Sequence, residues 1–279
     1  MGKQGRVRVP DLHEMKRSRR KIAMLTAYDA TMAGILDSAG VDVLLVGDSL
    51  GMVVMGEDTT IGVTLDMMVH HCRAVARGAS RALLVADLPF LTYHTSAAEA
   101  IRNAGRLMQE GRAAAVKVEG GAPCAGIVRA LTEAGIPVMG HLGLLPQHVH
   151  QLGGFRAVGK SRDEAEQVLA GAQAVEEAGA FAVVLESVPA ELARRVTGAV
   201  SIPTIGIGAG PHCDGQVLVS YDAFGLYQGF VPRFVKRYAE LGSAMAVAAR
   251  NYIDEVRGGT FPEAEHSIGA AGAHGVLAK

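Results

Sequence analysis

Residues 82–120 read ALLVADLPFLTYHTSAAEAIRNAGRLMQEGRAAAVKVEG, and this stretch decides the fold. It opens on a short apolar run, 82–86, that ends in Asp87. Ser96-x-x-Glu99 is a capping box that opens a helix, and Gly111 stands where that helix should stop. A second run, 114–118, carries Lys117 and closes on Glu119. Strand, helix and strand in succession make a βαβ unit. Runs that are apolar throughout, rather than alternating, belong to parallel strands buried on both faces.

The unit recurs. Similar runs of 5–7 residues lie at 22–27, 41–47, 136–140, 181–185, 202–207 and 216–220. Asp29 is placed to cap a helix over the next ten residues, and Ser161-x-x-Glu164 opens another that buries Val168, Leu169, Ala172 and Val175. Gly40, Gly78, Gly111, Gly135 and Gly179 follow helix ends, where a left-handed residue is expected. Eight such strands with helical crossovers predict an α/β fold, a (β/α)8 TIM barrel. An open doubly wound sheet is the alternative, but no G-x-G-x-x-G opens the first unit. The last repeat is irregular. Five residues between Ala209 and Gly215 leave no room for a helix, and a further helix is expected over 233–256. The predicted organisation is an N-terminal basic helical segment over 1–20, one barrel domain over 21–267, and a disordered Gly/Ala-rich tail over 268–279.

Composition narrows the function. The chain has 279 residues, 27 Lys+Arg against 28 Asp+Glu, and 5% aromatics with no Trp. Near-neutral charge and few stacking side chains argue against a nucleic-acid binder. The run Lys16-Arg17-Ser18-Arg19-Arg20-Lys21 reads as a solvated helix face. No apolar run is long enough to span a membrane. Cys72, Cys124 and Cys213 form neither a disulfide framework nor a zinc motif, so a cytoplasmic location is expected. Gly is abundant at 35 residues, and those not ending helices cluster beside strand ends.

What stands at the strand ends carries the chemistry. Five consecutive runs deliver Asp48 with Ser49, then Asp87, then Lys117 with Glu119, then His141, then Glu186. The C-terminal ends of barrel strands form the catalytic mouth. Each residue alone has a plain structural reading, as a helix cap, an ion pair or a satisfied histidine. Together, four carboxylates converging on one mouth would repel unless a cation joined them. Oxygen ligands without Cys or paired His favour Mg²⁺. His70-His71-Cys72 and His148-x-His150 lack a convincing third metal ligand. Gly206-Ile207-Gly208-Ala209-Gly210 fits either a phosphate loop or a closely packed turn.

Several motifs then resemble one family. They are Val46-Gly47-Asp48-Ser49-Leu50-Gly51-Met52, Ala86-Asp87-Leu88-Pro89-Phe90, Val116-Lys117-Val118-Glu119-Gly120-Gly121 and Gly140-His141-Leu142-Gly143. With Leu185-Glu186-Ser187-Val188-Pro189, Ile205-Gly206-Ile207-Gly208-Ala209-Gly210 and Tyr221-Asp222-Ala223-Phe224-Gly225, they resemble ketopantoate hydroxymethyltransferase, in order, from about residue 21 to 267. The resemblance implies a Mg²⁺-dependent barrel assembled as a homo-oligomer, usually a homodecamer. It implies transfer of a hydroxymethyl unit from 5,10-methylenetetrahydrofolate to 3-methyl-2-oxobutanoate, giving 2-dehydropantoate and tetrahydrofolate through a Mg-chelated enolate. That is the first committed step of pantothenate synthesis. By motif, metal carboxylates fall on Asp48, Asp87 and Glu119. Substrate contacts fall on Asp48, Ser49, Asp87, Lys117 and His141, and the catalytic base on Glu186. Leu145 precedes Pro146 where relatives often carry Thr, away from these motifs. A Mg²⁺ enzyme of the isocitrate lyase and phosphoenolpyruvate mutase type is the rival, but its Lys-Lys-Cys-Gly-His type segment is missing here. A non-catalytic barrel is a further alternative, against which the retained carboxylates weigh.

Overall fold

A computed structural model describes residues 5–268. Eight parallel strands close into a barrel in chain order: β1 (Ile22–Thr26), β2 (Val43–Val46), β3 (Leu83–Asp87), β4 (Ala115–Glu119), β5 (Val138–Gly143), β6 (Ala182–Glu186), β7 (Thr204–Ile207) and β8 (Gly215–Leu218). The TIM barrel expected from the apolar runs is the fold. β2, β3 and β4 are buried along their whole length, as strands packed on both faces must be. Their inward side chains meet Leu12 and Met15 of the N-terminal helix Val9–Arg17 in one core.

Several local expectations change. β5 begins later than its apolar run and extends to Gly143, pairing Leu142 with Leu185 and Gly143 with Glu186. Pro137 has no N–H to give the ladder, so the strand starts after it. His141 therefore lies inside a strand. Asp29, Ser96 and Ser161 cap their helices, each accepting a backbone N–H. The reciprocal half of the two Ser boxes is absent. Glu99 takes Thr95 instead, and Glu164 takes the N–H groups of Gly159 and Lys160. Gly40, Gly135 and Gly179 are left-handed as expected, whereas Gly78 is not. It is the last residue of the helix Leu65–Gly78, where a Cβ would collide with the carbonyl of Ala30 on the neighbouring helix Ala30–Ala39. The residue serves close helix packing. Gly111 likewise has no positive φ, and the left-handed position passes to Arg112.

The basic run is solvated at Arg17, Arg19, Arg20 and Lys21, but Lys16 turns inward. Its Nζ donates to the carbonyls of Thr197, Val200 and Ile202 and pairs with Asp214 at 3.0 Å. Asp214 also accepts from Thr204 N and Oγ1, which closes the helix-free connection between β7 and β8.

The chain divides into two compact units, one ending at Ser220 and the other beginning at Tyr221. In the second, the helix starts at Leu241 rather than 233. Tyr238 and the first residues of this helix are strapped to the start of the unit: Tyr238 N donates to Ala223 O, Leu241 N to Phe224 O and Gly242 N to Gly225 O. The tail expected to be disordered lies, from residue 269 onward, outside the described residues.

Candidate active site

The barrel brings the strand-end residues together. Asp48, Asp87, Lys117, Glu119 and His141 are all buried. Register does this: Asp87 sits opposite Lys117 across β3 and β4, Glu119 opposite His141 across β4 and β5, and Gly143 opposite Glu186 across β5 and β6. Lys117 Nζ lies 3.1 Å from Asp87 Oδ1 and 3.2 Å from His141 Nδ1. His141 Nε2 lies 3.2 Å from Glu186 Oε2, and its Nδ1 is 3.5 Å from Glu119 Oε1. Asp48 N donates to Asp87 Oδ2 at 3.1 Å. Gly47 permits this crowding, because a Cβ there would sit 2.8 Å from Ser49 Oγ and 3.4 Å from Asp87 Oδ2. Ser49 joins the rim through a 2.9 Å hydrogen bond with the Tyr28 hydroxyl.

Charge is unbalanced in this pocket. Burial drives the Asp48 carboxyl well above the usual carboxylate range, and Asp87 and Glu119 add repulsion. Asp87 is also raised, by burial first and then Glu119, although Lys117 opposes both. Burial pushes Glu119 the same way, but His141, Lys117 and the Gln147 N–H outweigh it and leave the carboxyl below its ordinary value. Lys117 stays firmly protonated, since Asp87, Glu119 and Asp48 overcome its desolvation. Burial and Lys117 press His141 toward neutrality, while Glu119 and Glu186 outweigh them and raise its pKa.

The donor set fits a hard divalent cation. Its three buried carboxylates offer only oxygen, and Glu119 Oε1 has no hydrogen-bond partner. Among the described residues, no group of three or more His, Cys, Asp or Glu side chains is arranged to hold a metal ion by itself. Mg²⁺ takes few protein oxygens directly and fills its remaining positions with water and substrate oxygens, through which the other acids would act.

These shifts fix a pH dependence. Raised Asp48 and Asp87 keep protons on the folded chain at pH values where the unfolded chain has lost them. Metal-free stability therefore falls as pH rises above their ordinary value of 3.8. His141 acts in the same sense above 6.5, while Glu119 acts oppositely and only as pH falls below 4.5. The metal-free protein should thus melt at a higher temperature at about pH 5.5 than at about pH 8, and Mg²⁺ should narrow the gap. A metal-free Tm that rises with pH over this range would contradict the charge assignment.

Three participants escaped the sequence reading. Tyr28 ends the first apolar run in the manner of the other polar residues, a signal present but unused. Gln147 and Tyr93 come from long connections and carry no spacing signal. His71 proves structural: its Nδ1 meets the Tyr28 carbonyl at 2.6 Å. His148 pairs with Gln151. In the glycine-rich run 206–210, Gly206, within β7, abuts Cys213 and Gln216, and Gly210, in the turn that follows, abuts Ala190, which favours packing.

Residues 6–264 match the family model of ketopantoate hydroxymethyltransferase. The chain belongs to the ketopantoate hydroxymethyltransferase family. Membership places it among the hydroxymethyltransferases. It is similar to the 3-methyl-2-oxobutanoate hydroxymethyltransferase of Moorella thermoacetica, with 57% identity covering 96% of this chain and 100% of that protein. That of Heliobacterium modesticaldum is 54% identical over 95% of this chain and 96% of its own length. Solved structures echo the barrel. 2,3-Dimethylmalate lyase, a member of the PEP mutase/isocitrate lyase superfamily, superposes with a TM-score of 0.57 at 18% identity, covering 90% of this chain and 88% of its own. Phosphoenolpyruvate phosphomutase from Streptomyces platensis subsp. rosaceus gives a TM-score of 0.61 at 14% identity, with 92% and 88% covered. At such identities the likeness shows the fold alone, and the ketopantoate hydroxymethyltransferase family is set by sequence.

Proposed function

We propose that the chain transfers a hydroxymethyl unit from 5,10-methylenetetrahydrofolate to 3-methyl-2-oxobutanoate, giving 2-dehydropantoate and tetrahydrofolate. This is the first committed step of pantothenate synthesis. The observation that carries the reading is the placement of Glu186. It is 17% exposed at the edge of the buried acid centre, its Oε2 3.2 Å from His141 Nε2. A carboxylate outside the metal set, facing the mouth, is what removal of the substrate C3 proton requires.

Asp48, Asp87 and Glu119 would hold Mg²⁺. When bound, Mg²⁺ there supplies Lewis-acid polarisation of the oxo acid's carboxylate and keto oxygens. Lys117 adds a fixed positive charge beside those oxygens, and Ser49, oriented by Tyr28, donates a hydrogen bond to the substrate carboxylate. Asp48, Asp87 and His141 complete the substrate contacts. Water cleaves both C–N bonds of the folate's methylene bridge, leaving tetrahydrofolate and a carbon at the oxidation level of formaldehyde. Glu186 takes the C3 proton, C3 bonds to that carbon, and the carbon's oxygen takes up a proton to become the product hydroxyl. The carbon arrives on the folate, so the protein needs no covalent intermediate.

The chain works as a homo-oligomer in this reading, a homodecamer in keeping with its family. The helix Leu241–Gly258 supports assembly: it buries none of its residues and displays Met245, Tyr252 and Val256. A cytoplasmic setting is consistent with three free cysteines. No helix among the described residues is long and apolar enough to cross a membrane. Purified protein given both substrates and Mg²⁺ should form 2-dehydropantoate, and the same preparation should sediment as an assembly. Folded, metal-loaded protein that makes no 2-dehydropantoate would overturn the reading.

A further inference from the structure

The connection after β5 contains one 3-10 turn, Pro146–His148, which carries a buried glutamine into the acid centre. Gln147 is 3% exposed. Its backbone N–H donates to Glu119 Oε2 at 3.0 Å. Its Nε2 donates to Asp48 Oδ2 at 2.8 Å and to Leu88 O at 3.0 Å. Its Oε1 accepts the Tyr93 hydroxyl at 2.9 Å, and that hydroxyl accepts the Glu119 N–H at 3.1 Å. Both amide hydrogens and the amide oxygen are thus engaged, which fixes the orientation of the group. Turned over, its oxygen would face a carboxylate and a carbonyl, acceptor against acceptor.

What these bonds occupy, and what they leave, is informative. A single residue takes one oxygen of Asp48 and one of Glu119. Glu119 Oε1 is left buried without a hydrogen-bond partner. A neutral amide orients the carboxylates without cancelling their charge. A Lys or Arg in its place would satisfy the acids and weaken their hold on a cation. The tie to Leu88 and Tyr93 also joins this arrangement to the chain just after Asp87, the third carboxylate.

We propose that Gln147 is a positioning residue that holds Asp48 and Glu119 so that one oxygen of each stays available to a shared divalent cation. The inference rests on the metal reading above and adds to it the residue that prepares the site before metal arrives. Loss of such supporting hydrogen bonds characteristically weakens metal binding by about 10–100-fold.

Gln147→Met keeps the side-chain length and the backbone N–H while deleting the amide. Mn²⁺, followed by electron paramagnetic resonance, is titrated into the metal-free full-length protein without substrate. The variant should retain the wild-type circular dichroism spectrum and bind Mn²⁺ about 10–100-fold more weakly. Its kcat should recover toward wild type at saturating Mn²⁺, a separation that general loosening of the barrel would not produce. Tyr93→Phe, which frees the amide oxygen but keeps the ring, should weaken Mn²⁺ in the same direction by a smaller factor. It carries the test if Gln147→Met does not fold. Unchanged Mn²⁺ affinity in a folded Gln147→Met protein, or in Tyr93→Phe if that variant alone folds, overturns the positioning role. Wild-type protein that takes up no Mn²⁺ overturns the metal reading on which it rests.

Discussion

Glu186→Gln is expected to slow exchange of the C3 proton of 3-methyl-2-oxobutanoate with solvent deuterium by about 10²–10⁴-fold, the range that a positioned general base contributes. The substitution keeps the shape of the side chain. The amide oxygen can still face His141 Nε2, which lies 3.2 Å from the carboxylate in the native chain. Substrate affinity should change little, because Glu186 lies outside the Asp48, Asp87 and Glu119 set that would hold the metal. Nuclear magnetic resonance of the substrate in D₂O, with Mg²⁺ present and folate absent, isolates proton removal from carbon transfer. Undiminished exchange would show that Glu186 is not the base. Loss of product formation with exchange intact would place its work later, at the folate step.

The second large effect concerns Lys117, which is 5% exposed and pairs with Asp87 at 3.1 Å. Lys117→Met fills similar space but leaves Asp48, Asp87 and Glu119 without their buried cation. Removing one partner of a buried ion pair costs about 3–5 kcal/mol. For a chain of this size that lowers Tm by roughly 6–20 °C. Part of the loss should return on acidification, which protonates the acids, and part on addition of Mg²⁺, which replaces the missing charge. Differential scanning calorimetry at two pH values, with and without metal, reads all of this. A metal-free Tm equal to the wild type at neutral pH would mean that the three acids do not repel one another as inferred.

The fold and the acid centre were legible for the same reason. Strands buried on both faces must be apolar throughout, so a charged residue in or just past such a run, like Lys117 or Glu119, is conspicuous. Barrel geometry then puts all strand ends on one side without further information. Gln147 and Tyr93 were illegible because neither terminates a run. They reach the centre from connections whose course depends on tertiary packing. The left-handed turn at Gly40 followed from local chemistry, whereas Gly78 looked identical in sequence and answers to a neighbouring helix. The late start of the helix at Leu241 has the same origin, in backbone bonds to residues 223–225.

Lys16 gives the barrel a timetable. Its partners Thr197, Val200, Ile202 and Asp214 lie almost two hundred residues downstream, and β1 likewise waits for β8 along one edge. At about 5–20 residues per second, the lysine leaves the ribosome roughly 10–40 s before its acceptors exist. Through that interval the first strand has an open edge of the kind that invites pairing with other chains. Arg17, Arg19, Arg20 and Lys21 directly precede Ile22, and charges flanking an apolar strand disfavour such pairing. Once the last strands arrive, Lys16 ties the segment before the barrel to the chain around β7 and β8.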